Sequence, residues 1–430
     1  MTSIALRRHP ILLSPQCERV ILRPFMPSDP THVGAIADRV RRLSEDEVEQ
    51  ALADVRAEFA SRHRWLESTL LANYARVLPH LGAEKSVSSS RRLLIGALFS
   101  GEYSLESAAL MNPSIVMHPD QADVPDGGMR FSMSLRSVGE GHISSVQFRS
   151  GIIDAGGEIS LDAPSGFACT AELKPDKRFK KKKVVYAVDF PSTLSVDERV
   201  LFPVSANESH GIEDARFVRF VEDDQSVLYY ATYTAYNGVS ITPQLIETRD
   251  FLHFRVLTLS GSAIRNKGMA LFPRRIGDQY VMLSRQDDDN VLIMFSRDPH
   301  HWSDARVVLR PAALWESVKI GNCGSPLETD AGWLVITHGV GPMRKYCLGA
   351  ALLDLEDPTK VIGRLKTPLV CAQGSDREGY VPNVVYSCGS LLHGRTIVLP
   401  FALSDRTTTV ETLSLDDLLD ALSPPGGQVA

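Results

Sequence analysis

The stretch YVMLSR (residues 280–285) packs four apolar residues and a serine into a short run that stops on an arginine. WLVITH (333–338) repeats the pattern and stops on His338, 53 residues after Arg285. Working outward, VLYYATYTAY (227–236) carries Thr234, 51 residues before Arg285, while MRFSMSLR (129–136) stops on Arg136 and TIVLPFALSD (396–405) on Asp405. A second apolar run and an acidic or aromatic turn follow in QLIETRDFLHF (244–254), VLIMFSRDPHHW (291–302) and CLGAALLDLEDP (347–358). Spacings of 51 and 53 residues suit one four-stranded unit of a β-propeller, and five such strands predict an all-β, five-bladed propeller. Innermost strands around one axis would gather their polar ends at one mouth, where a β-sandwich would scatter them.

Before this body, residues 29–87 hold apolar residues at three-and-four spacing among good helix formers, which predicts two or three helices. SEDE (44–47) reads as an N-cap with an acidic first turn. LSLDDLLDAL (413–422) returns to helical periodicity. The expected organisation is therefore 1–100, an N-terminal strand and helical extension; 101–412, the propeller; and 413–430, a short C-terminal helix and tail.

Composition excludes several functions. With 43% hydrophobic and 23% charged residues the chain has material for a sizeable core, and a net charge of −6 gives no attraction to nucleic acid or an anionic membrane. The basic run KPDKRFKKKK (174–183) reads as a solvated loop and is given no role. The six cysteines lie far apart without CxxC spacing, so reduced, mostly buried thiols are expected, with neither a zinc site nor a disulfide framework. The first twenty residues are broken by Pro10 and Pro15, no 18-residue apolar run exists, and a cytoplasmic location is expected. The glycines of 321–324 form no nucleotide-binding loop, the histidines have no metal-ligand spacing, and THGVG (337–341) lacks a nucleophilic serine.

Chemistry concentrates in NESHGIEDARF (207–217). Asp214 at the entry to a strand is either a turn aspartate or a site residue. Glu208 and Glu213 beside it would raise at least one carboxyl pKa, as an acid catalyst requires. Arg216, Arg274, Arg275, Arg285, Lys319, Arg344 and Lys345 all fall at strand ends or loops of the repeat. Paired carboxylates among such cations suit a polyhydroxylated or anionic ligand and acid–base work on a glycosidic bond.

MNPSIV (111–116), GIEDARF (211–217), YTAYNG (233–238), KGMALFPRRI (267–276), MLSRQDD (282–288), IGNCGSPLETDAGWLVITHGVG (320–341), LGAALLDLEDPTKVIGR (348–364) and GYVPNVVYSCG (379–389) together resemble glycoside hydrolase family 130. That family comprises five-bladed propellers that cleave β-mannosides by phosphorolysis or hydrolysis, and the collinear resemblance covers about residues 100–410. It implies Asp214 as the general acid of an inverting reaction, acting through a sugar hydroxyl, with Glu213 shaping the site. Asn112, Arg136, Tyr236, Asn383 and Asp405 are implied to contact the sugar, and Arg274, Arg285, Lys319, His338 and Tyr346 fall where the phosphorylases bind phosphate. Tyr380 stands where those phosphorylases carry an aspartate, which points to the mannosidase branch, whose members hold the attacking water with glutamates; Glu208 and Glu247 are the candidates.

The expectation is thus an inverting, non-reducing-end β-mannosidase acting on β-1,2-linked manno-oligosaccharides. The alternative is a phosphorylase yielding mannose 1-phosphate, and a non-catalytic glycan-binding propeller stands as a third reading. No metal or cofactor is expected, except inorganic phosphate as co-substrate of a phosphorylase. The expected partner is the oligosaccharide, with no nucleic acid or membrane, and the family's oligomeric members permit a homo-oligomer.

Overall fold

The computed structural model describes residues 4–29, 31–81, 87–174 and 184–424. It divides into two compact units, Met1–Pro15, Glu106–Pro164 and Thr170–Ala430 in one, Gln16–Leu105 and Ser165–Cys169 in the other. Apart from Lys174, which ends the strand Glu172–Lys174, the basic run lies outside the described residues.

The smaller unit holds helices Thr31–Arg41, Glu45–Phe59, Leu66–Val77 and Ser89–Leu98, and the strand pair Val20–Pro24 and Ser100–Ser104. Ser44 closes a capping box, its Oγ accepting from the Glu47 amide at 3.2 Å while the Glu47 carboxylate accepts from the Ser44 amide at 2.7 Å. Val33, Val40, Val48, Tyr74, Leu94 and Phe99 form its core. At Gly96 two helices touch, since a Cβ there would lie 2.0 Å from the Leu70 carbonyl oxygen.

The larger unit is built of five groups of mainly antiparallel strands taken in chain order, the first two joined by a single parallel pairing of Gly211 with Ser144. The first contains Ala109–Met117, Met129–Val138 and Ser144–Ile153, with Arg199–Leu201 at its edge. Gly211–Val221, Val227–Tyr236, Ile241–Thr248 and His253–Thr258 form the second. The third runs through Ala270–Leu271, Tyr280–Ser284, Val291–Ser296 and Arg306–Leu309, and the fourth through Lys319–Asn322, Gly332–Val340, Tyr346–Leu353 and Val361–Arg364. In the fifth, Val385–Tyr386, Thr396–Leu403 and Thr407–Ser414 are completed by Arg7–Leu13 from the other end of the sequence.

Packing explains why these strands read as nearly unbroken apolar runs. All nine residues of Gly332–Val340 are buried, because Leu334 and Ile336 face the fifth sheet while Trp333 and Val335 face the third. Both faces are covered, so no polar alternation survives. Phe220, Tyr230 and Leu245 likewise pack against Leu271 and Met282 between second and third sheets. Phe148, Phe217, Phe251 and Tyr229 fill the space between first and second, and Phe131, Met133, Val398 and Val410 join the first to the fifth. The predicted C-terminal helix forms over Leu415–Ala421, capped by Ser414 and buried through Leu415 and Leu418.

The cysteine expectation needs correction: Cys347 and Cys371 form a disulfide, whereas Cys17, Cys169, Cys323 and Cys388 lie outside it. The two partners lie 24 residues apart and face each other across adjacent antiparallel strands, a proximity that no spacing motif announces.

Candidate active site

Two matching irregularities create the site. The strand Ala109–Met117 shifts register between Met111 and Ser114, and Gly211–Val221 shifts between Glu213 and Arg216. Inside each bulge sits a residue in the left-handed region, Asn112 with φ 52° and Asp214 with φ 53°. Asn and Asp tolerate that conformation better than other side chains, and a bulge re-aims the side chain it carries. The two therefore meet: Asn112 Nδ2 donates to Asp214 Oδ1 at 2.6 Å.

Arg136 stands over both acids. Its Nη1 donates to Asp214 Oδ1 at 3.2 Å, its Nη2 to Glu213 Oε1 at 2.7 Å and its Nε to Ser144 Oγ at 2.9 Å. A crevice of about 10 Å³ beside Asp214 is lined by Arg216, Tyr233, Thr234, Lys267 and Gly268, among others, and is sized for about one water.

The charge balance reverses one expectation. Burial pushes the Asp214 carboxyl up, but Arg136, Lys267 and Arg216 together with the Asn112 hydrogen bond hold it down at about 2, so it is ionised at rest. Cations, not like charges, dominate around it. The carboxyl that is raised is Asp405, which burial and the negative charge of Asp214 push up to about 6, against the pull of Arg136, Arg344 and Lys267. Asp405 sits on a pinned turn, with Leu110 N donating to Arg406 O at 2.9 Å and Ser404 N to Val384 O at 2.7 Å.

Arg216 connects this acidic half to a cationic one. It donates to Asn322 O at 2.8 Å and to the Tyr386 hydroxyl at 2.7 Å, and the Tyr386 ring lies 4.8 Å from that of His338. Tyr346 stacks on His338 at 6.0 Å, and Arg285 Nη1 lies 3.0 Å from His338 Nε2. Burial, then Arg285, Arg216 and Lys319, drive His338 well below its ordinary pKa, so the neutral ring accepts the Arg285 N–H. Gly321 makes room for it, because a Cβ there would lie 2.3 Å from the His338 Cε1. Lys319 Nζ reaches Asp288 Oδ2 at 3.1 Å.

Most expected site residues are accounted for in these two halves or on their rim. Tyr236 pairs in register with Gly211, and its hydroxyl donates to Gly238 O at 3.0 Å. Asn383 accepts from Arg377 Nε at 2.7 Å and, through its carbonyl, from Tyr346 N at 3.0 Å. The half-exposed Tyr380 hydroxyl lies 3.1 Å from His142 Nδ1.

Three residues lie elsewhere. Glu208 is fully buried and its carboxylate accepts from the amides of Val204 and Ser205 at 3.1 and 2.9 Å and from the hydroxyls of Tyr186 and Tyr233. Glu316 does the same in a second 3-10 turn, accepting from Ala312 N, Ala313 N and Arg364, so Glu208 belongs to a recurring structural turn. Glu247 is locked by Arg255 and His300 and borders a separate cavity of about 500 Å³, at the end of its sheet opposite Tyr236. Arg274 pairs with Glu328 and lies over Trp333, next to Pro273, whose carbonyl meets Val221 at the strand end opposite Gly211. Neither glutamate is free to hold a water, and Arg274 is not part of the cationic half.

Sequence reasoning missed Lys267, Asp288, Asn322 and Tyr386. Lys267 opens KGMALF and Tyr386 closes VPNVVY, both within quoted motifs, but only the fold brings them to Asp214 and His338.

Comparison with known proteins follows from this geometry. A family model described as beta-1,4-mannooligosaccharide phosphorylase matches residues 192–423. A 1,2-beta-oligomannan phosphorylase of Thermoanaerobacter sp. (strain X514) is 33% identical over 255 residues, covering 57% of this chain and 84% of the relative. A beta-1,2-mannobiose phosphorylase of Listeria innocua is 29% identical over 240 residues, 53% of this chain and 65% of the relative. The solved structure of a beta-1,2-mannobiose phosphorylase from Listeria innocua matches with a TM-score of 0.53 at 21% identity, over 74% of this chain and 93% of that one. These relatives are phosphorylases, not members of the mannosidase branch to which Tyr380 pointed. With its family model spanning more than half of the sequence and a 33% identical relative covered over most of its length, the chain belongs to glycoside hydrolase family 130.

Proposed function

We propose that this chain is an inverting β-mannoside phosphorylase that removes the non-reducing mannose of a β-1,2-linked manno-oligosaccharide and transfers it to inorganic phosphate. One observation carries the choice of phosphate over water: the carboxylates of the two glutamates that a hydrolase would need are engaged by amides, tyrosines, an arginine and a histidine, while Arg285 and Lys319 gather with neutral His338 in a cluster suited to an anion. Inorganic phosphate is itself the nucleophile and needs only cations to hold it. The names of the relatives favour the same reading.

In the proposed reaction a phosphate oxygen bonds to C1 from the face opposite the departing oxygen. The C1–O bond breaks, its electron pair stays on that oxygen, and a proton from the Asp214 and Asp405 pair completes the leaving hydroxyl. The two carboxyls interact, with Asp214 ionised and Asp405 holding the proton below about pH 6. Asn112, Arg136 and Glu213 orient the sugar beside them. We further propose that the five sheets close into a five-bladed propeller, a reading supported by the packing of each sheet on the next and of the fifth on the first.

The test is incubation with β-1,2-mannobiose, with and without phosphate, following mannose and mannose 1-phosphate. Phosphate-dependent mannose 1-phosphate is expected, and Asp214→Asn should abolish it. Free mannose at equal rates without phosphate would overturn phosphorolysis in favour of hydrolysis.

A further inference from the structure

The cationic half of the site already contains an anion supplied by the chain itself. Asp288 places Oδ2 at 3.1 Å from Lys319 Nζ and Oδ1 at 3.4 Å from Arg285 Nε. The second contact is an ion pair without a hydrogen bond: Arg285 is 5% exposed, yet its Nε–H has no acceptor. A buried guanidinium N–H left unpaired is costly, and it marks a place where an oxygen of a ligand would fit better than the carboxylate now beside it.

Asp288 is also built to leave. Its side chain is 54% exposed, and it occupies the left-handed region with φ 64° in the turn that follows Arg285. Lys319 and Arg285 are by contrast mostly buried, so of the three the carboxylate is the one with ready access to solvent.

We propose that Asp288 sets how well the site accepts its nucleophile: folded onto Arg285 and Lys319 it excludes inorganic phosphate by like charge, and swung into solvent it yields both cations to the phosphate oxygens. Phosphate binding is then an exchange of one anion for another, and the affinity measured is lowered by the free energy of displacing Asp288. The site with its carboxylate in place disfavours anions and leaves room for water, so the same residue biases the choice between phosphorolysis and hydrolysis. This inference rests on the phosphate-binding role proposed above.

Titration calorimetry with inorganic phosphate on the whole protein, Asp288→Asn and Asp288→Ala decides it. Asp288→Asn keeps the shape of the side chain and removes its charge, and both variants are expected to bind phosphate roughly three- to tenfold more tightly than the native chain. The KM for phosphate with β-1,2-mannobiose should fall in parallel. Unchanged or weaker phosphate binding in both variants, or none in any of the three proteins, would overturn the proposal. If the variants bind phosphate more tightly but every protein releases mannose without sugar phosphate, Asp288 keeps its role and the phosphorylase reading fails instead.

Discussion

Two aspartates that share Arg136 and Lys267 as neighbours end up on opposite sides of the ordinary carboxyl range, because at Asp214 the charges of Arg136, Lys267 and Arg216 outweigh burial whereas at Asp405 they do not. Asp214 takes the Asn112 amide and an Arg136 N–H, both obligate donors, and its anion is favoured. At Asp405 burial and the negative charge of Asp214 outweigh the pull of Arg136, Arg344 and Lys267. The sign of the pH dependence follows: the Asp405 proton is present below about pH 6 and is lost above it, so kcat/KM should fall as pH rises through about 6. Asp405→Asn should lose that limb, and a pH–rate profile of both proteins checks it. Stability responds with opposite signs. The contribution of Asp405, raised in the fold, fades as pH rises toward about 6, and that of Asp214, lowered in the fold, fades as pH falls toward about 2. Glu208 illustrates a different fate for an acid. Its oxygens serve two amides and two tyrosines, so Glu208→Gln should destabilise by about 2–4 kcal/mol, read as a drop in Tm, whether or not turnover survives.

Elements differ in how openly they announce themselves. The strands Tyr280–Ser284 and Gly332–Val340 were legible because burial on both faces leaves a continuous apolar run, and Ser44 with Glu47 named its own helix start. The strand Arg7–Leu13 was not read as part of the sheet body, since Pro10 and two arginines interrupt its apolar pattern and its partner lies at the far end of the sequence. At the site, Asp214, Arg136 and His338 could be found from strand ends and motif, whereas Glu208 and Glu247 could not be dismissed. An acid in a 3-10 turn looks the same in sequence as one in a cleft, and only the amides it accepts from tell them apart. Close approach between elements is equally silent. A Cβ at Gly96 would lie 2.0 Å from the Leu70 carbonyl oxygen, so Gly96→Ala must push the helices Leu66–Val77 and Ser89–Leu98 apart. A loss of at least about 1–3 kcal/mol is expected by denaturant unfolding, despite the better helix propensity of alanine.

Across the whole larger unit, each sheet gains its second covered face only from its neighbour, so no sheet is stable alone. The fifth depends further on a strand from the opposite end of the sequence. Removal of Arg7–Leu13 should therefore expose the edge of Thr407–Ser414 and yield aggregated protein, while removal of the helix Leu415–Ala421 should leave a soluble but less stable one. Size-exclusion chromatography of the two truncations distinguishes these outcomes. The contrast is geometric: the strand hydrogen-bonds along a sheet edge, whereas the helix contributes mainly Leu415 and Leu418 to one cluster.

The pairing of Arg7–Leu13 with Thr407–Ser414 also sets a timetable for the newborn chain. His9 and Thr412, joined at 3.0 Å, stand 403 residues apart, and at roughly 5–20 residues per second a ribosome needs on the order of 20–80 s to make the second after the first. Throughout that interval the strand Arg7–Leu13 lacks this partner and presents an open edge to every other nascent chain nearby. Its composition suits the wait: Arg7, Arg8 and Pro10 sit among Ile11, Leu12 and Leu13, the charges and the missing amide being the features that discourage strand addition by strangers. A residue pattern that obscured the strand in the sequence is thus what keeps it available until its proper neighbour is made.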